Sequence, residues 1–91
     1  MSKRKGTRNE HRTIALLETA GYVCTRAGGS LGAWDVIGIG SKDVVLVQCK
    51  TNAWPGSVEM ETLRNFVCPP MCKKLVHRWR DYQRKPDVKE L

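Results

Sequence analysis

Val44-Val45-Leu46-Val47-Gln48-Cys49-Lys50 begins as four apolar residues and ends on an amide, a thiol and an amine. Thr51 and Asn52 then break the pattern. An apolar run of this length, rich in β-branched residues, predicts a central strand of a sheet. Residues two apart in a strand share a face, so Gln48 and Lys50 point the same way, roughly 7 Å apart. Cys49 points to the other face with Val45 and Val47. A buried strand that surfaces at its end would look similar, so the meaning of Gln48 and Lys50 depends on what faces them.

The upstream segment supplies that partner. Trp34 to Ile39 reads as a strand with Asp35, Ile37 and Ile39 on one face, and Gly40-Ser-Lys-Asp43 is short enough to predict an antiparallel hairpin. If the loop is symmetric about Ser41 and Lys42, Asp35 falls opposite Gln48, and directly opposed residues have Cβ atoms roughly 5 Å apart on one face. Asp35, Gln48 and Lys50 would then converge. A one-residue bulge would undo this.

The remaining elements follow from local signals. Lys3 to Lys5 form a basic arm; Thr7 and Glu10 fit a capping box, and Ile14, Leu17 and Ala20 continue a helix to Gly21. The spacing of Glu10, Ile14, Leu17 and Gly21 puts the carboxylate on the inward face. Tyr22 to Arg26 reads as a short strand, followed by the loop Ala27-Gly-Gly-Ser-Leu-Gly32. That loop matches neither the P-loop nor the dinucleotide fingerprint, so no small-molecule cofactor is expected. Beyond Asn52-Ala-Trp-Pro-Gly56, Ser57 is the expected N-cap of a second helix with Met60, Leu63 and Val67 buried and Pro69-Pro70 ending it. Trp54 in that loop is a candidate dimer or DNA contact. Met71 to Arg80 predicts a fourth strand, and residues 81–91 a polar, basic tail. The expectation is one α/β domain over residues 1–91, ordered α-β-β-β-α-β, with helices flanking a mixed sheet.

Charge is distributed unevenly. The net charge is +7. Residues 1–9 carry four basic and no acidic side chains, residues 73–91 seven basic and three acidic, and residues 10–72 five basic and six acidic. Positive ends around a slightly acidic middle suit a protein that holds a polyanion while reserving acids for another task. Lys3, Arg4, Lys5, Arg8 and Arg26 are the expected DNA contacts. No apolar run approaches a membrane span and the N-terminal residues are not of signal type, so a cytoplasmic protein is expected. Cys24, Cys49, Cys68 and Cys72 are then expected as thiols. Cys68-Pro-Pro-Met-Cys72 has half the spacing of a zinc site, but His11 and His77 do not form a second half.

Glu10, Asp35 and Gln48 offer hard oxygen ligands of the kind that hold Mg²⁺, with Mn²⁺ as a substitute, and the Cys49 backbone carbonyl can add another. Lys50 beside such a metal can orient or help deprotonate a water, or stabilise charge on a phosphoryl oxygen. At these residues the sequence resembles the PD-(D/E)XK nuclease superfamily: Asp35, twelve residues, then Gln48-Cys49-Lys50. Within it the chain is most similar to archaeal-type Holliday junction resolvases and their phage relatives. The likeness lies in the basic arm before Glu10, the Gly-Gly-Ser30 loop, Trp34-Asp35 and Val-Gln-Cys-Lys50, and spans Lys5 to Trp79.

That resemblance implies a restriction-endonuclease-like core. It implies Glu10, Asp35 and Gln48 as metal ligands, Lys50 as the catalytic lysine and Ser30 as an accessory active-site residue. It also implies a homodimer that cuts opposed strands of a four-way DNA junction, in a bacterial or phage-infected cell. Trp34 stands where the motif has proline, and Gln48 where it has an acid. The alternatives are a nuclease of the same superfamily with another DNA target, and a catalytically weak DNA-binding module on the same fold.

Overall fold

The computed structural model describes residues 2–29 and 31–91; Ser30 lies outside the described residues, as do the side chains of Lys3, Arg4 and Lys5. The elements run α1 (Ser2–Thr19), β1 (Val23–Arg26), β2 (Val36–Ile39), β3 (Val44–Thr51), α2 (Ser57–Asn65), β4 (Cys72–Trp79) and β5 (Asp87–Glu90). The strands form one sheet in sequence order, antiparallel except for the parallel β3–β4 pair that α2 bridges. Among the described residues no helix is long and apolar enough to cross a membrane.

The absence of alternation in β3 has a simple cause: helices cover both faces of the sheet. Val45 and Val47 join Val36 and Leu17 of α1 in one core cluster, while Leu46 joins Trp34, Met60, Leu63 and Val76 on the α2 side. Val36, Val47 and Val76 are fully buried, each stabilising the fold by about 1.5–3 kcal/mol relative to exposure. Trp34, in the position of the motif's proline, is a core residue that meets Phe66 edge to face at 5.8 Å.

Helix α1 departs from the expected pattern. It starts at Ser2, so the basic arm is its first turns, and Thr7 and Glu10 are mid-helix and form no capping box. Lys and Arg are good helix formers and a single Gly6 costs only about 1 kcal/mol, so nothing in the arm stops the helix. The buried stripe is Asn9, Thr13 and Leu17 rather than the one led by Glu10. Polar Asn9 and Thr13 go inside because each has a partner there. Asn9 Nδ2 donates to Thr51 Oγ1 at 2.9 Å, and the Thr13 hydroxyl serves three neighbours. Gly21 closes the helix at φ 99°, in a conformation that a side chain would strain, with its N–H on the Glu18 carbonyl and that of Tyr22 on Leu17.

The second helix is shorter than expected. Gly56, not Ser57, is the N-cap; it offers no side-chain bond, and Ser57 is already helical. The helix stops at Asn65, well before Pro69, leaving Val67 91% exposed, while Met60 and Leu63 are buried as anticipated. Lys74 Nζ reaches the carbonyl oxygens of Arg64 and Phe66 and so satisfies the helix end from β4. The segment 81–91 is not simply a tail. Its residues 87–90 add β5 as an edge strand, with Val76 opposite Lys89 and Arg78 opposite Asp87. Arg78 Nη2 meets Asp87 Oδ2 at 2.6 Å. Trp54 lies under the Arg78 guanidinium and the Lys89 ammonium, 4.5 and 4.7 Å from its ring centroid, which makes it a brace between β4 and β5.

Candidate active site

Strand pairing in the β2–β3 hairpin has the expected register: Val36 faces Val47 and Ile39 faces Val44, with no bulge. Continuing that ladder one residue, the Asp35 N–H donates to the Val47 carbonyl at 2.9 Å, and the Cys49 N–H donates to Asp35 Oδ2 at 2.8 Å. Asp35 is therefore tied to β3 beside Gln48. That bond uses only Oδ2. Burial raises the Asp35 pKa above the usual value, against the Cys49 N–H, which lowers it. Smaller effects come from the carboxylates of Glu10 and Glu59, which raise it, and from Lys50, which lowers it. Asp35 therefore senses the charges of Glu10, Glu59 and Lys50 around the end of β3.

Gln48 is 8% exposed, and its Oε1 is a buried acceptor with no hydrogen-bond donor among the described residues. Such an orphan costs about 1–3 kcal/mol, so an amide oxygen left in this state is unusual. Lys50, on the same face of β3, pairs with Glu59 of α2 at 3.5 Å. Glu59, in the first turn of α2, is thereby a neighbour of the site. Its spacing from Lys50 carries no motif, and only the α2 crossover brings the two together.

Glu10 approaches from α1, on the other side of the sheet. Its Oε1 accepts from Arg26 Nε at 2.8 Å, with the carboxylate 19% exposed and the arginine 43% exposed. Arg26, expected on DNA, is thus engaged by Glu10, while Arg8 is exposed. Asn9 and Thr51 link the residues adjoining Glu10 and Lys50, which fixes α1 to the end of β3. Ser30, Lys3, Arg4 and Lys5 cannot be placed against this group. The loop flanking Ser30 holds Gly28 and Gly29 at φ 59° and 86°, and a Cβ on either would meet no atom within 4 Å. The glycines there serve the backbone conformation and not a close approach.

The Cys49 side chain lies on the α1 face, where burial pushes its thiol up to about 12. It is a neutral S–H that donates to Thr13 Oγ1 at 3.4 Å, so the residue's contribution to the site is its backbone. Among the described residues, no three His, Cys, Asp or Glu side chains gather closely enough to bind a metal by themselves. Cys68 and Cys72 are free thiols with only a weak contact between them.

No protein family model and no curated protein matches the chain. A solved structure does: that of Hjc, a Holliday junction resolvase from the archaeal hyperthermophile Archaeoglobus fulgidus. It superposes with a TM-score of 0.75 at 18% sequence identity, over 91% of this chain and 73% of that one. The chain thus has the α/β fold seen in an archaeal Holliday junction resolvase, a mixed five-stranded sheet flanked by helices.

Proposed function

We propose that this protein is a metal-dependent DNA endonuclease of the resolvase type, acting on branched DNA through Asp35, Gln48, Lys50 and Glu10. The observation that carries the proposal is the orphaned Gln48 Oε1 beside a half-buried carboxylate that has used only one of its oxygens. A hard divalent cation satisfies both, and the oxygen-only donor set of Asp35, Gln48 and the Cys49 carbonyl fits Mg²⁺ or Mn²⁺. Glu10, now paired with Arg26, would be a further oxygen ligand. When bound, the metal supplies a water of lowered pKa and neutralises charge on a phosphoryl oxygen.

The protein's own groups do the rest. Asp35 is oriented by the Cys49 N–H, so its free oxygen is aimed without further rearrangement. Glu59 holds the Lys50 ammonium at the end of β3, where it can meet the negative charge that grows on the scissile phosphate. Ser30 is proposed as an accessory residue on the adjoining loop. Lys3, Arg4, Lys5 and Arg8 belong to α1 and are proposed to hold the phosphate backbone, with Arg26 as a further contact. Cutting two strands of a four-way junction needs two such sites, supplied by a homodimer.

The engaged Glu10 and the neutral Gln48 favour one second reading, a DNA-binding module in which catalysis is weak. Calorimetric titration with Mg²⁺ and Mn²⁺ separates the two. The endonuclease reading expects saturable metal binding that Asp35→Ala abolishes, followed by cleavage of a junction in preference to linear duplex and single strands at fixed salt. Tight, salt-sensitive junction binding with no metal uptake would establish the module instead.

A further inference from the structure

A turn next to the candidate site has a feature that stability does not account for. Gln83 N–H donates to the Arg80 carbonyl at 3.1 Å, closing a β-turn with Asp81 and Tyr82 at its centre. Tyr82 takes φ 68°, the left-handed value that this turn position ordinarily gives to glycine. Among the described residues only Asn52 shares a positive φ without being glycine, and asparagine tolerates it. Tyr82 is also fully exposed, so its ring gains nothing from packing. A strained backbone holding a bare aromatic ring in water favours a role for the ring outside the folded chain.

The turn is rigidly attached. Arg12 of α1 donates to the Gln83 carbonyl at 2.6 Å and stacks on Trp79 at 4.1 Å from the ring centroid. Asn52, two residues beyond Lys50, accepts from the Asp81 N–H at 3.0 Å and donates to its carboxylate at 3.2 Å. Tyr82 is therefore held at a fixed offset from the end of β3. Between the turn and α1 lies a groove lined by Arg8, Arg12, Arg80, Asp81 and Tyr82, extended past Trp79 by Arg84. Its one acid, Asp81, is occupied by Asn52, and among the described residues no ion pair holds Arg8, Arg84 or Lys85.

We infer that the 80–84 turn is a stacking platform for an unstacked DNA base, with Tyr82 beneath the base and Arg8 and Arg84 on the flanking phosphates. The inference rests on the DNA-acting reading above and adds the feature of DNA that is sensed. A duplex interior offers no free base face, whereas a branch point or single strand does. A cationic groove with one aromatic platform suits that strand chemistry, and stacking tolerates any base.

The test measures anisotropy of a labelled oligothymidylate, a four-way junction and a linear duplex at one salt concentration, without metal. Tyr82→Gly removes the ring and relieves the turn, so its Tm should be at or above that of wild type while oligothymidylate and junction binding weaken about tenfold or more. Tyr82→Phe should bind as wild type does, and duplex binding should be unchanged throughout. Wild-type affinity in Tyr82→Gly would overturn the inference, as would an equal loss on all three DNAs. If wild type itself does not prefer the junction over duplex, the resolvase reading falls, yet the oligothymidylate comparison still decides the role of Tyr82.

Discussion

Gln48 and His77 are the buried polar residues with the most consequence. Gln48 Oε1 lacks a donor, so Gln48→Met, which keeps length and volume, should stabilise the metal-free protein by about 1 kcal/mol in urea unfolding. The same variant should lose metal affinity in calorimetry. A variant less stable than wild type would mean that the amide is satisfied. His77 is 2% exposed, and burial holds its pKa down at about 4 against 6.5 for the free side chain. Thr13 Oγ1 already accepts from Trp79 Nε1–H at 2.8 Å and from the Cys49 thiol, so its own proton goes to His77 Nδ1 at 3.1 Å. His77 is therefore neutral and carries its proton on Nε2. Above pH 6.5 neither state protonates and the full stability is present. Between about 6.5 and 4 the unfolded chain takes up a proton that the native one refuses, so stability falls with falling pH, by up to about 3 kcal/mol, and levels off below. Unfolding free energies measured from pH 7 to 4 should show this slope, and His77→Gln should flatten it.

Between elements, the Thr13 hydroxyl joins α1 to β3 and β4. Thr13→Val preserves shape but strands the Trp79 N–H and removes the donor to His77, and should cost about 2–4 kcal/mol in urea unfolding, with a change in tryptophan fluorescence. A loss under 1 kcal/mol would contradict the hub. The elements that packing dictates were legible in the sequence. The β3 run and the short Gly40–Asp43 loop were enough to set Asp35 against Gln48, because an apolar strand tolerates no slip. Elements that rely on polar contacts were not legible. Asp87-Val-Lys-Glu90 has one apolar residue, as an edge strand can, and is held as β5 by the Arg78–Asp87 pair and by Lys89 over Trp54. Glu10 matched the inward face by spacing, but Asn9 and Thr13 took that face because their partners lie 36 to 66 residues away. Tyr82 and Glu59 were missed for a related reason: neither belongs to a periodic pattern, and only the fold brings them to the end of β3.

At the scale of the whole molecule, the two basic ends of the sequence meet in space. Arg8 and Arg12 of α1 face Arg80 and Arg84 across one groove, next to the Asp35–Gln48–Lys50 face that Glu10 and Glu59 adjoin. Basic flanks that would draw in phosphates, beside acids that would take a divalent cation, are the division of labour that the proposed endonuclease requires. Fold likeness to a resolvase at 18% identity is compatible with that division but does not supply the chemistry. The decisive measurement is therefore strand cleavage itself: a labelled four-way junction incubated with wild type, Asp35→Ala or Lys50→Ala at one salt concentration, with and without Mg²⁺. Nicking by wild type only with the metal, and junction binding without nicking by both variants, is the expected result. Cleavage by either variant at the wild-type rate, or no cleavage by wild type with Mg²⁺ or Mn²⁺, would contradict the account.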